Sequence, residues 1–446
     1  MKSKIEIELP GYIKKAIFKL ENSGFETFVV GGAVRDSIIG REIYDYDLAT
    51  NALPEQNKEI FKDYNIIDIG SKYGTVIVEI DGFNIEITTY REDEEYLDGR
   101  RPSDVKFTKS LKSDLSRRDF TINAMAYNPN TGLVDEFHGM KDIENKVIRT
   151  VGDANKRFTE DYLRIMRAIR FSSQLGFKLD KEVVGAIIFC KIGLKDISRE
   201  RIRDEFDKIL LSQNPGHGLR ILSDTGVLKI ISKDIDYMVD FNQHSSFHDY
   251  DLFEHSIRVI ENAPAKLEIR LAALFHDIGK PATMIIDERG EGRFFGHQKK
   301  SRDIAEKFLK EYRYSGNTIQ KVLNLVERHM DNTNRYTEKS VKKLISRLGE
   351  DVFDLFDLQE ADILGTNRPD FIENINNGRR LARDIIENKI PVKKSQLAVN
   401  GYDLIEIGYT QGRKIGDILN ILTDIVIDDP SKNTKETLVE IAKKYK

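Results

Sequence analysis

The sequence predicts an α+β protein, with an α/β domain over residues 1–150 followed by a remainder that is helical throughout. Three observations carry this. Before residue 150, runs rich in β-branched and aromatic residues (25–30, 75–80 and 84–90) alternate with short helical stretches and Gly/Asn/Asp turns. Beyond it, amphipathic segments at helical period follow one another over 160–175, 182–190, 199–211, 267–276, 301–312 and 318–329. The length of 446 residues exceeds one compact domain and suggests about three. Turn-rich stretches at 214–217, 240–249 and 391–396 are the natural boundaries.

Composition narrows the function classes. Charged residues make up 32% of the chain, and no apolar run approaches the roughly 20 residues of a membrane span. With no basic-apolar leader at Met1, a cytoplasmic protein is expected. Cys190 is the only cysteine, which rules out an intramolecular disulfide and a multi-thiolate metal site and fits a reducing compartment. A net charge of -4 argues against a general nucleic-acid coat protein. The arginines are nevertheless clustered, at Arg100 and Arg101, Arg117 and Arg118, from 157 to 170 and from 199 to 203, with acids such as those at 92–95 cancelling them in the total.

The first chemistry-bearing stretch runs Val29-Val30-Gly31-Gly32-Ala33-Val34-Arg35-Asp36, then Tyr44-Asp45-Tyr46-Asp47-Leu48. A strand ending at Gly31 and Gly32 lets backbone N–H groups approach a triphosphate at the next helix N-terminus, and Arg35 adds a charge one turn in. Asp45 and Asp47, two apart on an extended segment, turn their carboxylates to one face and can share divalent ions. Two such Mg2+ ions activate a 3'-hydroxyl and stabilise a pyrophosphate leaving group. Glu86 faces opposite Ile85 and Ile87 on its strand and is a candidate third carboxylate for the set, the alternative being an exposed strand residue.

On these residues the chain resembles the tRNA nucleotidyltransferase and poly(A) polymerase family, in its bacterial and eukaryotic class. The resemblance continues through Glu86-Ile87-Thr88-Thr89-Tyr90-Arg91, Asp98-Gly99-Arg100-Arg101-Pro102, and Asp114-Leu115-Ser116-Arg117-Arg118-Asp119-Phe120-Thr121-Ile122-Asn123-Ala124. It implies a polymerase-beta-type head (1–150) of mixed sheet with helices, then an all-α neck and body (151–240), an HD-type insertion (241–370) and a tail (371–446). It also implies that Arg118 binds the nucleotide, with Asp119 and Asn123 near the ribose. The partners implied are tRNA, ATP and CTP. No membrane and no obligate protein partner are expected.

In Glu160-Asp161-Tyr162-Leu163-Arg164-Ile165-Met166-Arg167-Ala168-Ile169-Arg170-Phe171, the arginines Arg164, Arg167 and Arg170 form one stripe between two apolar stripes. A cleft facing an anionic or heteroaromatic partner explains that pattern better than open solvent does. In the family the matching Asp and Arg serve as an amino-acid template for the incoming base. The chemistry is consistent: the Asp161 carboxylate accepts from the amino group of cytosine or adenine while Arg164 donates to ring acceptors beside it. Uracil and guanine invert that order and leave buried groups unpaired. Arg167 and Arg170 then support the template or the phosphates.

Six of the eight histidines lie between His244 and His329. The series His255, His276-Asp277-Ile278-Gly279-Lys280, His297, His329 and Asp362 resembles the HD-type metal phosphohydrolase domain. Imidazole with carboxylate suits a transition metal more than magnesium. The stretch 397–404, followed by Gly408, Gly412, Gly416 and Leu419, resembles the family's tail, which holds the tRNA elbow. CCA addition is the function expected, with an A-adding enzyme or a bacterial poly(A) polymerase as the alternative. The stretch 90–102 resembles the loop needed to switch from C to A, which disfavours a CC-only enzyme. A phosphohydrolase acting through the HD domain is the reading from another class.

Overall fold

The computed structural model describes residues 6–93, 105–244, 250–366 and 371–446. The block Asp98-Gly99-Arg100-Arg101-Pro102, most of the loop assigned to the C-to-A switch and much of the acidic run beside it lie outside the described residues. The chain forms two compact units, Met1–Lys233 and Asp234–Lys446.

The strands described in the first unit are β1 (Thr27–Val30), β2 (Asp47–Thr50), β3 (Asn65–Gly70), β4 (Thr75–Ile80), β5 (Phe83–Thr89), β6 (Arg91–Asp93), β7 (Val105–Phe107), β8 (Ala126–Asn128), β9 (Gly132–Val134) and a short parallel pair, β10 (Val147–Ile148) with β11 (Lys178–Leu179). Among the described residues, seven of them make a mixed sheet in the order β3-β4-β5-β2-β1-β8-β9, while β6 and β7 pair apart from it. Every pairing in the large sheet is antiparallel except that of β2 with β5, which sets Asp47 directly opposite Glu86. Period-2 patterning explains the packing: Val76, Val78 and Ile80 of β4 and Ile85 and Ile87 of β5 are fully buried, and Glu86 between the latter two points out. β1 is buried along its whole length, as a central strand should be.

Helices Ala154–Glu160, Leu163–Leu175, Lys181–Cys190, Arg199–Leu210 and Pro215–Asp224 complete this unit. One sequence expectation needs correction here. The segment 160–175 is not a single helix, because Asp161 is extended (φ -148°, ψ 105°) and separates two helices. The Asp161 side chain accepts from the Leu163 N–H at 3.0 Å, and its carbonyl accepts from the Arg164 N–H at 2.9 Å. A short carboxylate that captures a neighbouring backbone donor competes with the helical ladder and interrupts it. Both apolar stripes of the second helix are buried as their spacing predicts.

In the second unit, helices Leu252–Asn262, Leu267–Phe275, His297–Glu311, Gly316–Arg328 and Val352–Gly365 pack together beside a short hairpin, Ile285–Ile286 with Gly292–Arg293. The helix Ile372–Glu387, grouped by sequence with the C-terminal module, packs instead on this bundle through Arg379, which pairs with Asp357 and Glu360. The last three helices, Gly401–Glu406, Arg413–Asp428 and Lys435–Lys443, close around their own core of Val399, Leu404, Tyr409, Ile418, Leu422, Val426 and Leu438. No helix among the described residues is long and apolar enough to cross a membrane.

Candidate active site

The first unit contains a cleft of about 660 Å3 lined by Gly31, Gly32, Arg35, Asp45, Asp47, Arg118, Asp119, Asn123, Asp161, Arg164, Arg167 and Arg170, joined by Arg117, Leu163, Phe171 and Arg201. Residues that the sequence placed in three separate motifs therefore meet in one space. At its glycine end, Gly31 has φ +73°, which favours glycine, and a Cβ there would stand 3.1 Å from Arg118 Nη1 and crowd the arginine's approach. Arg35 leaves the following helix, buried, to donate to Asn123 Oδ1 at 2.5 Å and to both oxygens of Asp36.

Asp47 opens β2 at the cleft and Asp45 precedes it by one exposed-to-solvent alternation. The Asp47 carboxylate is reached by solvent yet lies among protein atoms. That loss of water pushes its pKa up against the opposing Arg118 guanidinium, and the Asp45 charge pushes it further. Glu86, across the parallel pairing, is raised by partial burial and then by Asp47 and Asp45. Together with Asp45 they form an oxygen-donor set suited to a hard divalent cation.

The opposite wall is an ion-pair lattice. Asp119 accepts from Asn123 Nδ2 at 3.1 Å and from Arg167 Nε and Nη2 at 2.8 and 2.6 Å. Burial alone would raise its pKa, but the Arg167 and Arg164 charges and these bonds hold it well below the usual carboxylate range. Arg170 pairs with Glu205 at 2.6 Å and lies 4.0 Å over the Phe171 ring, and burial brings its pKa down to about 10. Arg167 and Arg170 thus brace the wall through Asp119 and Glu205. Asp161 accepts from Arg201 at 2.9 Å, and Arg164 donates to Glu160 at 2.5 Å and to the Arg157 carbonyl at 2.9 Å.

Sequence reasoning missed Asp114, Glu160, Arg201 and Glu205 as supports. Two of them had a local signal: Glu160 is four residues before Arg164, and Asp114, fully buried, is three and four before Arg117 and Arg118, which it binds. Arg201, which lines the cleft, and Glu205, which holds Arg170, come from a distant helix, which no local spacing announces.

The second unit brings together two groups of side chains able to hold metal ions: His255, His276 and Asp277, and Asp277, His297 and His329. Asp277 serves both, with Oδ2 3.2 Å from His276 Nε2 and Oδ1 3.1 Å from His297 Nε2. Asp362 joins the first group 3.1 Å from His255 Nε2. The Nδ1 atoms of His276, His297 and His329 lie 2.7–2.8 Å from the carbonyls of Ala273, Phe294 and Val326, which leaves each Nε2 turned inward. That arrangement fixes ring tautomer and aim as in metal sites. Lys280, buried, pairs with Asp277 at 2.6 Å.

Comparison with known proteins bears on both sites. Family models match as the poly A polymerase head domain over 27–149, the probable RNA and SrmB-binding site of polymerase A over 176–238, and the HD domain over 252–364. The CCA-adding enzyme of Pediococcus pentosaceus is 34% identical over 96% of this chain and 96% of its own length. The chain belongs to the family of CCA-adding enzymes. A second member, from Ligilactobacillus salivarius, is 33% identical over 98% of this chain and 97% of its own. The solved CCA-adding enzyme of Bacillus stearothermophilus in complex with CTP superposes with a TM-score of 0.74 at 28% identity, covering 97% of this chain and 96% of that one. The Thermotoga maritima enzyme complexed with tRNA shares the fold, with a TM-score of 0.59 at 21% identity over 99% of this chain and 97% of that one. The polymerase-type head and the HD domain expected from the motifs are thus both present in this family member, and nucleotidyl transfer by the family is metal-dependent.

Proposed function

We propose that this chain adds C, C and A from CTP and ATP to the 3' end of tRNA without a nucleic-acid template, its own side chains choosing the base. The observation that carries this reading is the single cleft in which Asp45 and Asp47 face Gly31, Gly32 and Arg118 while Asp161 and Arg164 stand on the same lining. Gly31 and Gly32 offer backbone N–H groups to the triphosphate, and Arg118 and Arg35 add positive charge. Asp119, locked by Arg167, orients Asn123 toward the ribose. Asp161 accepts from the exocyclic amino group of C or A, and Arg164, held by Glu160 and a backbone carbonyl, donates to the adjacent ring acceptor. Asp45, Asp47 and Glu86 are the hard oxygen donors that would hold Mg2+, which supplies activation of the RNA 3'-hydroxyl and charge for the departing pyrophosphate. The core formed by residues 399–442 supports a separate tail for the tRNA elbow.

A second reading is favoured by the inward-turned imidazoles of the HD site: His255, His276, Asp277 and Asp362, with His297 and His329, hold a transition metal and serve a phosphohydrolase activity. The first reading is tested with purified protein and tRNA ending in no, one or two C residues, given each nucleoside triphosphate singly. Ordered use of CTP, CTP and ATP is expected. Addition of A alone, or of repeated A, would assign the chain to A-adding or poly(A) synthesis instead.

A further inference from the structure

Asp114, on the short helix Leu111–Ser116, is fully buried and lies behind the cleft lining rather than in it. It is shared by the two arginines that follow it. Its Oδ1 accepts from Arg117 Nε and Nη2 at 3.0 and 2.7 Å, and its Oδ2 accepts from Arg118 Nη2 at 3.2 Å. Burial raises its carboxyl pKa, but the two guanidinium charges outweigh that and keep the group ionised. Adjacent side chains at a helix end point roughly 100° apart, so one carboxylate behind both is what draws them to the same side, into the cleft that both line. The backbone beneath them is tied as well, since Arg157 donates to the carbonyls of Ser116 and Arg117 at 2.9 and 3.2 Å. Arg118 gives Asp114 only one of its three nitrogens. Its Nε is buried without an acceptor among the described residues, and its Nη1 stands over the Gly31 turn.

We propose that Asp114 is a positioning residue for triphosphate binding: it fixes the Arg118 guanidinium over the Gly31 turn, so that the donors it leaves open meet the phosphates of whichever nucleotide is being added. The inference rests on the nucleotidyl-transfer reading above. A guanidinium is a planar fork, and holding one prong from behind sets the direction of the others before a ligand arrives, which lessens the freedom lost on binding. The same carboxylate offsets the repulsion between two neighbouring cations. Because Asp114 acts on the phosphate end alone, it serves CTP and ATP alike and has no part in choosing between bases, which falls to Asp161 and Arg164.

The test is D114N, which keeps the shape of the side chain and removes its charge, in steady-state addition to tRNA lacking its CCA end. KM for CTP and for ATP should rise together by roughly 5- to 150-fold, with the ratio of CTP to UTP use at its wild-type value. Two competitive inhibitors separate positioning from a general loosening of the cleft. Inorganic tripolyphosphate carries phosphates without base or sugar, and its inhibition constant should rise by the same factor, while that of cytidine, which has no phosphate, should stay at wild type. Adding D114N to R118A should weaken tripolyphosphate inhibition no further than R118A does alone. Should D114N melt below the assay temperature, R118K carries the test, because a single ammonium cannot serve Asp114 and the phosphates as a fork does, and the same split between tripolyphosphate and cytidine is expected. Wild-type tripolyphosphate inhibition in the folded variant, an equal rise for cytidine, or additive losses with R118A would overturn the positioning role. Absence of any addition by the wild-type protein would instead overturn the reading on which it rests.

Discussion

Replacing Asp161 by Asn tests how this cleft chooses a base. The asparagine Oδ1 still accepts the Leu163 N–H, so the break between the two helices is retained, while the second oxygen becomes an amide donor. In the base-reading role proposed for Asp161, that donor would oppose the amino group of C or A and favour the carbonyl of U or G. One favourable contact is lost and one repulsion removed, each worth about 1–3 kcal/mol, so the C-to-U and A-to-G ratios of kcat/KM should each fall by at least 5- to 150-fold. The stability cost is separate and small. The Asp161 and Arg201 side chains are 15% and 26% exposed, and weakening that pair should cost about 1 kcal/mol, or about 2–4 °C in melting temperature for a unit of this size. Single-turnover incorporation of CTP, ATP, UTP and GTP by folded protein is the assay. A uniform drop for all four nucleotides, with unchanged base ratios, would refute the reasoning and leave Asp161 as a structural residue of the helix break.

Four further outcomes are expected. Asp45→Ala or Asp47→Ala should abolish nucleotide addition while gel-shift affinity for tRNA is retained, and more than a few per cent of wild-type turnover would exclude the carboxylate assignment. Elemental analysis of protein purified without chelator should find a transition metal that is lost in His276→Ala or Asp277→Ala, with nucleotide addition unchanged in both. Asp119, depressed by Arg167, contributes stability that is present above the unfolded carboxylate pKa and lost as pH falls below about 4. Asp119→Asn should therefore lower stability near pH 7 by about 1–3 kcal/mol, a third of Arg167 remaining exposed, and flatten the acid limb of the melting-temperature profile. Gly31→Ala, forced into a left-handed conformation against Arg118, should cost about 1–2 kcal/mol and raise KM for both CTP and ATP, read by melting and steady-state kinetics.

The head was legible from sequence because its signals are local. A glycine pair after an apolar strand, carboxylates two apart and arginines at helical spacing each follow from period and turn chemistry. The helix boundaries fell within a few residues where apolar periodicity was strong, as over Lys181–Cys190 and Arg199–Leu210. It failed at Asp161, where a side chain's capture of one N–H outweighs the propensity of its neighbours. What spacing could not reveal was who holds whom. Arg167 looked like a ligand-facing cation and is bound to Asp119, while Arg201 comes from another helix to hold Asp161. Likewise the sharing of Asp277 between two histidine groups is a fact of three dimensions, since each of its oxygens faces a different pair of rings.

The lone parallel pairing in the seven-stranded sheet has a consequence for how the protein comes into being. The β3-β4-β5 meander joins by short turns and closes quickly, whereas β2 meets β5 only after the chain between them has been looped out, and β1 meets β8 across a longer stretch still. Asp47 and Glu86 sit on the two sides of that non-local seam. A chain that has gained its helices and its meander but not this seam has most of the helical signature of a folded protein and none of its carboxylate cluster, so helical signal is a poor gauge of how many molecules are competent.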